Sequence, residues 1–154
     1  MPKRNGYLYY EAGQAVAAVH LGLTLRQISA NPAQQASDIV VPRNDPKARL
    51  ILWLTGIAAE GKGAGASDPL RRTRNRQRVR AFMEELLADA EGTAAKRQVA
   101  ARRLRAQAQD RANAIAADLF PAIEQVAQRL EAQGVLSGSE VVAIVQAAKR
   151  ARNG

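Results

Sequence analysis

The chain has 154 residues, 47% of them apolar and only 4% aromatic, with a formal net charge of +9 and no cysteine. That length suits one domain with one hydrophobic core, and a core so poor in rings must be assembled from Ala, Leu, Val and Ile, which favours close-packed helices. Absent cysteine excludes disulfides and thiolate metal sites and fits a reducing cytoplasm; no run reaches the roughly 18 uncharged apolar residues of a membrane span, and the N-terminal stretch is too short in apolar residues for a secretory signal.

The charge is concentrated in one block. Residues 69–111 carry 12 basic and 5 acidic side chains, against 7 and 5 before them and 4 and 4 after them. Such a block attracts nucleic acid, an anionic surface or an acidic protein, and charge alone does not choose among them.

After a polar lead over residues 2–6, a first helix is predicted over 7–21, with Ala12, Ala15, Val16 and Val19 at helical spacing. Within it, Tyr10-Glu11-Ala12-Gly13-Gln14 would read H-E-x-x-H if positions 10 and 14 were histidine, the arrangement that grips zinc between two imidazoles with the Glu as general base. A phenol that stays protonated and a neutral amide are poor replacements for those ligands. At i and i+4 the two can instead hydrogen-bond to each other and fill the place of a metal. His20, the only histidine, lies about 180° round the helix from Glu11 and about 120° from Gln14, so it cannot join that face.

Gly22 offers a stop, and residues 25–30 and 39–41 read as two strands of a ribbon. Asp45-Pro46 is an N-cap and first-turn proline for a helix over 47–60 that is apolar nearly all round and therefore central. The glycines at 61, 63 and 65 should break it. Ser67-Asp68-Pro69 repeats the start signal for a helix over 70–90, which makes Asp68 a cap. That helix has an apolar second half (Val79, Phe82, Met83, Leu86, Leu87) and a first half in which Arg71, Arg72, Arg74, Arg76, Arg78 and Arg80 wrap most of the circumference, a solvated face with the capacity to bind anions. An Ala/Arg-rich helix to about residue 119 follows, then one from Pro121 to 131 ended by Gly134. A capping box, Ser137-Gly138-Ser139-Glu140, opens a last helix over 140–151.

Several of these stretches, in this order, resemble one family. Tyr10-Glu11-Ala12-Gly13-Gln14-Ala15-Val16, Leu21-Gly22, the strand closing on Asn31-Pro32, Leu54-Thr55-Gly56-Ile57-Ala58-Ala59-Glu60, Gly65-Ala66-Ser67-Asp68-Pro69-Leu70 and the closing segment from Val126 to Val142 are similar to the zinc-peptidase domain of FtsH-type AAA+ proteases and its stand-alone relatives. The match is thinnest over 71–105. The resemblance implies zinc ligands at the positions held here by Tyr10, Gln14 and Pro69, so all three are replaced, and it leaves Glu11 as the family's general base without a metal-bound water to activate. Asp68 lies one residue early, about 100° round a helix start.

The expectation is a mainly helical α+β domain over 1–154 with a two- or three-stranded ribbon after the first helix, 1–92 being the former active-site half and 93–154 the C-terminal helices. Its former cleft is Tyr10, Gln14, Glu60 and Asp68. The expected function is that of a cytoplasmic pseudopeptidase without cofactor, without an ATPase module and without a membrane span, which binds a protein or peptide by strand addition beside residues 25–32. An active zinc peptidase with unusual ligands and a basic nucleic-acid-binding protein are the alternatives, the latter marked by affinity that falls steeply between about 50 and 200 mM salt.

Overall fold

The computed structural model describes residues 5–65 and 68–153. The expected lead over residues 2–4, and Ala66 and Ser67 of the second start signal, lie outside them. Six helices and three strands run in the order α1 (Gly6–His20), β1 (Thr24–Ser29), β2 (Asp38–Val40), α2 (Pro46–Ala64), α3 (Pro69–Asp89), α4 (Ala94–Asp118), α5 (Phe120–Gln133), β3 (Val135–Ser137) and α6 (Gly138–Asn153) among the described residues. The fold is mainly helical with a small antiparallel sheet, as the composition demands. No helix of the described residues is long and apolar enough to cross a membrane.

Local signals set most boundaries. Asp45 accepts from the Ala48 N–H and places Pro46 in the first turn of α2; Asp68 does the same for α3 through the Leu70 and Arg71 N–H groups at 2.8 and 3.2 Å. Thr93 caps α4 by accepting from Lys96. Ser137 and Glu140 form a reciprocal pair at the start of α6, each side chain accepting from the other's backbone N–H. Gly134 ends α5 with φ of +80°.

The core lies between α1, α2, α4, α5 and α6. Ile28, Leu50, Ile115, Ile123, Leu130 and Leu136 are fully enclosed, each burial stabilising by about 1.5–3 kcal/mol. Helix α2 is central as expected, with Leu50, Ile51, Leu52, Leu54 and Ala59 all buried. Its backbone approaches that of α1 closely because Gly13 and Gly56 leave room: a Cβ on Gly13 would lie 2.7 Å from the Ala59 Cβ, and one on Gly56 2.9 Å from the Tyr10 ring and the Tyr10 carbonyl oxygen.

Two expectations are corrected, the break in α2 and the free edge of β1. Helix α2 does not break at Gly61 but continues to Ala64, with Gly65 as its cap. Gly63 keeps its helical place because the Tyr9 ring lies where a Cβ would stand. The ribbon is three-stranded, within the expected two or three, as β3 pairs antiparallel with β1 through Ile28↔Leu136. The sheet order is β2-β1-β3, so β1 is the central strand and offers no free edge for an added peptide.

Candidate functional site

Packing the small face of α1 (Ala12, Ala15, Val16) into the core fixes the positions of Tyr7, Tyr10, Glu11 and Gln14. Asn5 secures the start of the helix by accepting from the Tyr7 N–H at 3.0 Å. Tyr10 and Glu11 are themselves buried, at 4% and 8% exposure, and Gln14 is half-buried.

The Glu11 carboxylate accepts a 2.7 Å hydrogen bond from the Ser37 hydroxyl, whose oxygen in turn accepts from the Ser29 N–H at 3.0 Å. A loop residue between β1 and β2 thus ties the sheet to α1. Burial pushes the Glu11 carboxyl above its ordinary value, opposed by the hydrogen bonds from Ser37 and Tyr7 and by the charge of Arg78. Burial also raises the Tyr7 phenol, with the Glu11 charge adding to the rise.

Tyr10 does not bond to Gln14 as the i, i+4 spacing suggests. Its hydroxyl instead takes a long hydrogen bond, 3.4 Å, from Arg78 Nη1 of α3. The same guanidinium lies 5.7 Å from the Trp53 ring centroid, a cation–π position, and Trp53 meets Phe82 edge-on at 5.3 Å. Burial holds the Tyr10 phenol protonated, pushed up to about 12 against the lowering effect of Arg78. Such a phenol beside a fixed guanidinium is no cation ligand.

Glu60, 1% exposed near the end of α2, is gripped by Arg71 through Nε and Nη2. Arg71 also lies 5.9 Å from the Tyr7 ring centroid, and Gly6 leaves the space that this pair occupies. The ion pair raises Arg71 above its ordinary value. Asp68 spends its carboxylate on the α3 cap, and Pro69 has no side-chain donor at all.

The arginine block is therefore not one face. Arg71 and Arg78 lean against α1 and α2, Arg71 half-buried and Arg78 exposed, as are Arg72, Arg74, Arg76 and Arg80. His20 lies at the far end of α1 beside Arg111, Asp118 and Lys149.

The sequence brought Tyr10, Glu11 and Glu60 to notice but not their partners. Ser37 left no signal, being one polar residue of a polar loop. Arg71 and Arg78 did leave one: seven residues apart they share a helix side, next to Asn75 and Val79, the two residues of α3 that are buried. Glu60 left another, as an acid inside a helix apolar nearly all round must find a cation.

The residues present do not fit a zinc ion. Among the described residues no three His, Asp or Glu side chains form a group that could hold a metal, and each polar group at the positions where the resemblance implies ligands already has a protein partner or no donor atom to offer, Gln14 excepted. What the arrangement can do is hold α1, α2, α3 and the β1–β2 loop in fixed register. No protein-family model matches the chain, and a search of curated proteins finds no match.

Proposed function

We propose that this chain is a peptidase-like domain of the FtsH type that has lost zinc and hydrolysis and serves as a protein- or peptide-binding module. The observation that carries the reading is the state of Glu11: the carboxylate that would activate water is buried and bonded to Ser37, while a tyrosine and a proline hold two of the three positions where the resemblance implies ligands. A general base needs a reactive proton within hydrogen-bond reach, and this one is committed elsewhere. The third position, Gln14, supplies a neutral amide that alone holds no divalent cation.

The peptide edge moves from β1 to β2. With β1 enclosed, the outer side of β2 is the sheet edge nearest Ser37 and Glu11, and Val40 stands 41% exposed on that strand. An extended peptide would pair there through its backbone and cover Val40.

Elemental analysis of the purified chain tests the first part: no stoichiometric zinc and no chelator-sensitive cleavage of an unfolded substrate are expected, and one zinc per chain would refute it. A peptide library tests the second. Binders should lose roughly tenfold in affinity on Val40→Asp, which places a charge on the edge; unchanged affinity would remove β2 from consideration.

A further inference from the structure

At the opposite end of α1 from Glu11, a cavity of about 250 Å³ opens where α1, α4 and α6 all finish. Its charged and polar lining is His20, Arg111, Asp118, Lys149, Arg152 and Asn153. Arg152 pairs with Asp118 at 3.2 Å, which leaves Arg111 and Lys149 without an ion-pair partner among the described residues. Positive charge is thus in excess around a concave site.

Cations at helix C-termini complement the helix dipoles, and that accounts for part of the excess. It does not account for His20. Its Nδ1 is buried and finds no hydrogen-bond partner among the described residues, in a protein interior where nearly every buried polar atom has one. Because that nitrogen is closed off in the present ring orientation, a turn of the imidazole is needed to bring it to the cavity, where a ligand oxygen would supply the partner and a ligand with negative charge would meet Arg111 and Lys149. Burial first, then Lys149 and Arg111, hold the imidazole below its ordinary value, with Asp118 opposing, so in the ligand-free state His20 is neutral at pH 7. The cavity wall also includes Ile115 and Leu119, apolar surface suited to the carbon part of an ester.

We propose that this cavity binds a phosphate group, free or as a phosphomonoester, with Arg111 and Lys149 meeting its charge and His20, its ring turned toward the cavity, donating from Nδ1 to one of its oxygens. The site is separate from the former peptidase cleft, and its existence does not depend on how that cleft is read.

Because His20 is the only histidine, its ring proton resonances report the cavity without assignment. The 154-residue chain is titrated with pH by NMR in the presence of inorganic phosphate or phenyl phosphate, at fixed ionic strength set with chloride. The His20 midpoint should rise saturably, by roughly one pH unit, as a dianion within hydrogen-bond distance favours the imidazolium. Equal responses to the two compounds identify the phosphate group as sufficient; a roughly tenfold tighter response to phenyl phosphate identifies a phosphomonoester seated on Ile115 and Leu119. Arg111→Ala and Lys149→Ala should each weaken binding about tenfold, while Arg74→Ala, an equal loss of charge on α3, should leave it unchanged. No saturable change with either compound up to about 10 mM, or equal weakening by Arg74→Ala, would overturn the proposal. Circular dichroism of each variant separates lost binding from lost fold.

Discussion

Arg71 meets Glu60 side-on, its Nε lying 2.9 and 3.1 Å from the two carboxylate oxygens and its Nη2 2.5 Å from one of them. The pair is lopsided, with Glu60 1% exposed and Arg71 23% exposed, so the acid depends on the arginine far more than the reverse. Removing the arginine strands a buried charge. Arg71→Ala should therefore destabilise the protein by about 3 kcal/mol in urea unfolding, and most of that loss should vanish in a Glu60→Leu background, where no charge is left unpaired. A loss below about 1 kcal/mol would mean that Glu60 reaches water.

Glu11 predicts a pH dependence of definite sign. Its folded-state value lies above the unfolded one, so the native state holds this proton more tightly. The stability it contributes is fully present below the unfolded value and is lost as pH rises through the raised one. Glu11→Gln, which keeps an acceptor for Ser37, removes that slope. The variant should gain on the wild type as pH rises from acid to neutral in parallel denaturation curves. A gap that shrinks over the same range would reverse the assignment.

Two glycines of α2 should respond oppositely to the same substitution. Nothing lies within 4 Å of a Cβ added at Gly61, so Gly61→Ala should stabilise by about 0.5–1 kcal/mol through helix propensity alone. At Gly56 the added methyl meets the Tyr10 ring and carbonyl oxygen at 2.9 Å, and backbone cannot step aside cheaply. Gly56→Ala should destabilise by about 1–3 kcal/mol. Thermal melts of the two variants decide the matter.

Within the arginine block, only some residues should matter to stability. Arg78→Ala removes the contact over Trp53 and the bond to the Tyr10 hydroxyl and should destabilise by about 1 kcal/mol. Arg72→Ala, Arg74→Ala and Arg76→Ala should stay within about 0.5 kcal/mol, as exposed substitutions usually do. Uniform effects across all four would show that the inward lean of Arg78 is energetically empty.

Helix starts were legible because they are written in neighbouring residues: Asp45-Pro46, Asp68-Pro69 and Ser137 with Glu140 each act within one turn. The small apolar faces of α1, α5 and α6 were legible for the same local reason. What escaped was set by distant partners. Gly61 and Gly63 look like a helix break until the Tyr9 ring is known to occupy the space above Gly63. Val135, Leu136 and Ser137 are too short a run to signal a strand until β1 is present to pair with them. The i, i+4 pairing of Tyr10 with Gln14 lost to Arg78, which arrives from another helix 68 positions on. Of the candidate site, the residues on α1 were readable and the groups that restrain them were not.

Ile28 and Leu136 face each other as sheet partners although 108 residues separate them. During synthesis the first strand must therefore wait, its central edge open and its most enclosed side chain uncovered, until the residues around Leu136 have left the ribosome. For a largely helical protein that is a late commitment, and the interval before it is when a chaperone would have the most to hold.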